Sequence, residues 1–251
     1  MASNNPMEQF TIVTLHPLSA AGYNISFTNS ALWMVVALVI VAAFLFAGTF
    51  RPKLIPGRMQ AAVEACYDFS RAIVEENIGP NGRRFTPLIF TIFIFVLALN
   101  LLGLIPWVGS FVPTSHVAVT FALAIIVFGT VLLVGFIKHG LHFLTFFWPK
   151  GMNIGLALFI MPIEVISFFV RPFTLAIRLF ANMTAGHVLL KVFGTFVVAL
   201  GSFTAVPYVF GLAPLAVNIA LAALELLIAL IQAYVFALLS AIYLNDAINL
   251  H

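Results

Sequence analysis

Four stretches of this chain run for about 20 residues or more with almost no charge: 31–50, 85–107, 117–137 and most of 154–246. In lipid every backbone N–H and C=O must be satisfied within the protein, and about 20 residues of helix cross about 30 Å of hydrocarbon. The runs are continuous rather than alternating residue by residue, so they predict helices and not the strands of a β-barrel. Composition agrees: 63% of residues are hydrophobic and 8% charged, whereas a soluble domain is about a quarter charged. The net charge of +3 carries no nucleic-acid signature, and a single cysteine, Cys66, excludes an intrachain disulfide or a cysteine metal cluster. Cys66 is expected to pack as a small apolar residue. An all-α integral membrane protein follows.

Residues 1–30 contain no Lys or Arg and so lack the basic start of a secretory signal. They are expected to form an external N-terminal segment ahead of a retained first span, 31–50. Arg51, Lys53 and Arg58 follow that span and place its end on the inner side. Residues 59–79 differ: Glu64, Asp68, Arg71 and Glu75 recur at helical spacing, with Val63, Cys66, Phe69, Ile73 and Val74 mostly off their stripe. This predicts an amphipathic helix on the inner membrane surface, ended by Gly79, Pro80, Asn81 and Gly82. A hairpin of two spans, 85–107 and 117–137, comes next. Arg83 and Arg84 precede it, Lys138 and Lys150 follow it, and its loop 106–116, which contains Pro106, Gly109 and Pro113, has no Lys or Arg. Asn100 lies mid-span and is either an interhelical hydrogen bonder or a polar lining group. His139 and His142 stand among Phe143, Phe146, Phe147 and Trp148 with no carboxylate or cysteine nearby, which favours interfacial anchoring over a metal site.

From Ile154 only Gly201, Pro207, Gly211 and Pro214 clearly punctuate the chain. The segments 154–200 and 207–246 are each too long for one upright span. Each is either two short spans or one long tilted helix, and length alone does not choose.

Within 161–191 sit Glu164, Arg171, Arg178, Asn182, His187 and Lys191, at a depth where each charge costs roughly 2.5–3.5 kcal/mol on insertion scales. Glu164, Arg171 and Arg178 recur every seven residues and share nearly one helical face, Asn182 stays close to it, and His187 falls on the opposite side. In the last segment Glu225 and Gln232 are also seven apart. Pro162 and Pro172 would free backbone carbonyls and kink the helix. Arginine does not deprotonate, so Arg178 can only be a fixed positive charge that favours an ionised carboxylate. Glu164, His187 and Glu225 can exchange protons, while Asn182 and Gln232 orient water or a neighbour. Structural readings stand beside these: Glu164 paired with Arg171, Glu225 paired with His187, Arg178 in an interhelical ion pair, and Arg171 and Lys191 snorkelling to the interfaces.

The run RLFANMTAGH at 178–187, with Glu164 and Arg171 before it, Glu225 and Gln232 after it and NLLGLIP at 100–106, closely resembles the a subunit of F-type ATP synthases. The similarity extends over the chain after about residue 25. The resemblance implies two long tilted C-terminal helices lying against a rotating c-subunit ring, hence about five membrane-embedded helices plus one interfacial helix. It implies that Arg178 is the essential charge facing the ring, and that two half-channels offset from it carry protons. His187 and Glu225, with Asn182 and Gln232, match the external half-channel, and Glu164 matches the internal side. Asn100 and Arg171 are possible lining residues. Some bacterial relatives exchange the acid and the histidine at 187 and 225, and the order here resembles the mitochondrial one.

The resemblance further implies H⁺ as the translocated ion, no cofactor and no metal. It implies no catalysis by this chain alone, and a proton-translocating role within the complex. The partners it implies are the c-ring, the b subunits of the peripheral stalk, the other ATP synthase subunits and lipid. No nucleic acid is expected, and no phosphate-cradling glycine loop is present in the sequence to bind nucleotide. The expected location is a bacterial inner membrane, the mitochondrial inner membrane being the alternative. A secondary transporter is the competing class, but it predicts two related halves, and 31–107 does not echo 154–245. A purely structural assembly subunit leaves Arg178 unexplained.

Overall fold

Helix length settles the question that the last hundred residues leave open. In the computed structural model, which describes residues 10–17, 19–20, 23–24, 26–105, 111–140, 142–143, 154–201 and 207–249, the chain forms helices α1 Asn29–Thr49, α2 Arg58–Asn77, α3 Thr86–Gly103, α4 Val117–His139, α5 Ile154–Gly201 and α6 Pro207–Ile248. α5 is one helix of 48 residues and continues through Pro162 and Pro172. α6 has 42 residues and continues through Pro214. At 1.5 Å per residue these are about 72 and about 63 Å long, roughly twice the hydrocarbon thickness. Each must tilt, bend or emerge if its apolar surface is to stay in lipid. Two long helices, not four short spans, form this part of the chain.

Five helices among the described residues (α1, α3, α4, α5 and α6) are long and apolar enough to cross a membrane, and the protein is an all-α membrane protein. α2 is the exception because it carries the charged stripe. Gln60 Nε2 donates to Glu64 Oε1 at 2.7 Å, and Arg71 Nε and Arg83 Nε both reach Glu75 Oε1 at 2.9 Å. Val63, Ile73 and Val74 are buried on the other side, and the Phe69 ring packs at a tilt against Phe93 of α3 and Tyr234 of α6, with centroids 5.3 and 5.6 Å apart. Gly79, at φ +82, turns the chain into a 3-10 segment, Pro80–Phe85, that leads into α3. Cys66 packs as a small apolar residue, as its surroundings required: it lines an apolar cavity with Ile40, Phe44, Ile94 and Leu101.

Ahead of α1, short strands β1 (Thr14–His16), β2 (Ser19–Ala20), β3 (Tyr23–Asn24) and β4 (Phe27–Thr28) pair as two small antiparallel ladders, β1 with β4 and β2 with β3. Asn29 ties this segment to the helix: its side chain accepts from Val13 N–H at 3.2 Å and donates to Thr11 C=O at 3.1 Å. Thr28 Oγ1 caps α1 by accepting from Ala31 N–H.

The core lies where α3, α4 and α5 close on α6. Ala229, Ala233, Ala237 and Ala241 recur every fourth residue of α6 and are all fully buried. Without a hydrophobic drive between helices in lipid, such a small-residue ridge lets neighbouring backbones approach and gain van der Waals contact. Aromatic pairs lock α4 to α5, with Phe128–Phe168 at 5.1 Å and Phe121–Phe173 at 4.9 Å.

The end of α4 packs against the end of α6. Lys138 Nζ donates to Ile248 C=O at 2.8 Å, His139 Nε2 lies 3.0 Å from the same oxygen, and Phe143 is 1% exposed. Lys138 and the His139 ring therefore cap the C-terminal end of α6, whose last carbonyls lack helical partners and carry the negative end of the helix dipole. Pro106, Gly109, Phe146, Phe147, Trp148 and Lys150 lie outside the described residues.

Candidate functional site

α5 and α6 run antiparallel, and their polar residues meet in rungs: Arg171 with Asp246, Asn182 with Gln232, and His187 with Glu225. The α5 numbers rise as the α6 numbers fall, as an antiparallel register requires. The buried face of α5 is set by Leu175, Leu179 and Met183, which are at most 1% exposed. At about 100° per residue, Arg178 and Asn182 flank that face on one border and His187 on the other. A nine-residue separation thus puts Arg178 and His187 on opposite sides while both stay beside the helix packing.

Arg178 is exposed on α5, and among the described residues no carboxylate lies within ion-pair distance of it. The interhelical ion pair that was its structural alternative does not form within the described chain. Ala181 and Ala185, three and seven residues on and so on the same side of the helix, are exposed as well, so the cation stands on a face of small apolar residues.

On one side of Arg178 the polar groups are joined. Arg171 Nη1 meets Asp246 Oδ2 at 2.6 Å, and its guanidinium lies 5.7 and 5.1 Å from the ring centroids of Phe168 and Tyr243. This corrects the Glu164–Arg171 pairing: Arg171 reaches across to α6, and Glu164, half-buried, has no ion-pair partner among the described residues. The i, i+7 separation puts Glu164 and Arg171 on one face but two helical turns apart, about 10 Å along the axis, whereas α6 brings a carboxylate directly opposite.

On the other side one pair is hydrogen-bonded and the rest are gathered without bonding. Asn182 Nδ2 donates to Gln232 Oε1 at 2.9 Å. His187 Nε2 and Glu225 Oε1 are 3.5 Å apart, too long and too poorly aligned for a hydrogen bond. Both Glu225 oxygens, His187 Nε2, Gln232 Nε2, Asn218 Oδ1, Thr114 Oγ1, His116 Nε2 and Asn100 Oδ1 are buried without a protein partner. Asn100 is fully buried and its Nδ2 donates to Ala229 C=O of α6 at 3.3 Å, so it is an interhelical hydrogen bonder with one acceptor left over. Two glycines make the crowding possible. A Cβ on Gly186 would stand 2.6 Å from Glu225 Oε1, and one on Gly103 would stand 2.9 Å from Val112 and 3.3 Å from His187 Nε2.

Four residues here escape a reading of the sequence alone. Asp246 and Asn218 continue the seven-residue spacing of Glu225 and Gln232, since 218, 225, 232 and 246 fall on one stripe of α6; that spacing could have found them. Thr114 and His116 lie in and just after the 3-10 turn Pro113–Ser115, where Phe111 stacks on His116 at 4.8 Å and Thr184 Oγ1 lies 3.5 Å from Ser115 C=O. No periodicity signals a turn folded back into the helices. No group of three or more metal-ligating side chains occurs among the described residues.

The sequence profile of the ATP synthase A chain family matches residues 31–245. The chain is 53% identical to ATP synthase subunit a of Zymomonas mobilis, with 100% of this chain and 99% of that one covered. It is 51% identical to ATP synthase subunit a of Mesorhizobium japonicum, covering 98% and 96%, and 46% identical to that of Rhodospirillum rubrum, covering 99% and 100%. An exposed arginine between an interhelical ion pair and a largely unbonded polar cluster, on two long antiparallel helices, is thus found in a chain that belongs to the ATP synthase A chain family.

Proposed function

We propose that this chain is the stator subunit of a rotary ATP synthase that conducts protons to and from the carboxylates of a rotating c-ring through two half-channels offset about Arg178. The observation that carries this reading is the placement of Arg178: exposed on an apolar helix face, without a carboxylate of its own, and flanked along α5 by polar groups on both sides. An ionised carboxylate is costly in hydrocarbon, whereas a protonated one crosses cheaply. A ring carboxylate that approaches Arg178 is stabilised as the anion, releases its proton on the inner side past Glu164, and is reloaded on the outer side. His187 and Glu225 hand over the proton there, and Asn182 and Gln232 orient the path. Buried polar atoms without protein partners, such as those around Glu225, are what a hydrated route to the outer surface needs.

Arg178 also repels a proton that would pass directly between the channels. Each charge crossing 100 mV releases about 2.3 kcal/mol, and the exchange forced at Arg178 turns that into rotation. The chain has no part in nucleotide chemistry, which belongs to other subunits. The exposed apolar faces of α5 and α6 pack on the ring and on lipid, and b subunits hold the stator. Its place is a bacterial inner membrane, a reading supported by relatives that come from bacteria and by five apolar helices of spanning length.

The test is ATP-driven proton pumping in vesicles that carry assembled complex with Arg178→Ala, with passive proton leak measured beside it. Loss of pumping in an assembled complex is expected, with added leak if the barrier role holds. Pumping close to the unsubstituted protein sinks the reading.

A further inference from the structure

Arg171 and Arg178 are seven residues apart on nearly one face of α5, yet their surroundings differ. Arg178 is exposed and has no carboxylate partner among the described residues. Arg171 is covered by the rings of Phe168 and Tyr243 and meets Asp246 Oδ2 at 2.6 Å. Asp246 is not delivered by chance of a flexible end. Two residues on, Ile248 C=O is bound by Lys138 and approached by His139 of α4, so the last turn of α6 is pinned where its carboxylate meets Arg171. Both α4 side chains engage the backbone and leave Asp246 to the guanidinium.

We propose that Asp246 is a positioning residue whose carboxylate neutralises Arg171, so that of the two arginines only Arg178 acts on a carboxylate moving past α5. This rests on the proposed function, in which such a carboxylate belongs to the ring. A bare Arg171, about 10 Å from Arg178 along the helix, would be a second resting place for the anion on the inner side. It would hold the carboxylate away from Arg178 and slow each exchange. In the weakly screened interior the competition between two like charges is strong, whereas a joined ion pair presents little net charge.

The measurement is ATP-driven proton pumping per assembled complex for Asp246→Asn, Asp246→Glu and the double variant Arg171→Gln/Asp246→Asn. Asp246→Asn is expected to lower pumping about tenfold. Asp246→Glu keeps the charge and should pump close to the unsubstituted protein. The double variant removes both charges and should recover to within about twofold, the additivity failure that marks a coupled pair. A pair that serves only as a staple between α5 and α6 predicts the reverse: the double variant stays as low as Asp246→Asn. That result, or full pumping in Asp246→Asn, overturns the proposal. If Asp246→Asn does not assemble, Asp246→Glu and the double variant still decide. Arg178→Ala measured in parallel separates the two readings. If it pumps normally the proposed function itself fails, and if it is dead while the double variant is not rescued, only the role of Asp246 fails.

Discussion

The Arg171–Asp246 end of the α5–α6 seam holds its charges at 2.6 Å under two aromatic rings, whereas the His187–Glu225 end holds its pair at 3.5 Å with neither Glu225 oxygen hydrogen-bonded. The first arrangement satisfies its groups and gives them little reason to change protonation. The second gathers acid, imidazole, amides and hydroxyls that are left with unused donors and acceptors, each a cost of about 1–3 kcal/mol if nothing else partners it. A charge that is to be held neutral is built the first way. A place where protons are exchanged is built the second way, because an unpaired acid can take or give a proton without first breaking a strong bond. The two ends share one pair of helices and lie on either side of Arg178.

The contrast can be broken most directly at Glu225. Glu225→Gln keeps the volume and removes the acid, and pumping is expected to fall about a hundredfold, the lower end of what a positioned acid–base group contributes. Pumping that persists would mean that the outer end, like the inner one, exchanges no proton. Exchanging the pair, His187→Glu with Glu225→His, should keep more than about a tenth of normal pumping while each single exchange does not; equal loss in all three variants would show that position, not the acid–base pair, matters.

Smaller effects sharpen the same comparison. Gly186→Ala puts a methyl 2.6 Å from Glu225 Oε1 and should lower pumping about tenfold with assembly intact, while an unchanged rate would mean that Glu225 is free to move aside. Asn182→Leu leaves the Gln232 amide, 2% exposed, without its hydrogen bond and should lower stability by about 1–3 kcal/mol, read as an earlier thermal release of the subunit. The least effect belongs to the surface helix. The Arg71 and Arg83 hydrogen bonds and charges hold the exposed Glu75 carboxyl below its usual range. Because the folded value is lowered, its stabilisation is present above the ordinary carboxylate pKa and fades as pH falls through the lowered one. Glu75→Gln should therefore leave thermal stability nearly unchanged at neutral pH and flatten any small acid-side loss. A large drop would mean that α2 is more than a solvated face.

Much of this was legible from residue types and spacing. Long apolar runs allow only helices in lipid, so the membrane class followed from composition and continuity. The Glu64–Glu75 stripe marked α2 as the helix that stays at a polar boundary. Seven-residue spacing put Glu225 with Gln232, and the run at 178–187 carried the family resemblance. Spacing within one helix also misled, since Glu164 and Arg171 share a face without touching and the partner of Arg171 comes from α6. Nor does spacing show that His139 lies beside the last carbonyl of a helix more than a hundred residues away.

The sequence alone determined what kind of medium the chain lives in and which side chains are too costly there to be idle, because both depend on local composition. Only the tertiary structure decided which of those side chains meet. Whether a polar group is joined, left over or exposed depends on the register of α6 against α5 and on the Pro113–Ser115 turn folded beside them. Such contacts join residues tens to more than a hundred positions apart, through packing that no local pattern encodes.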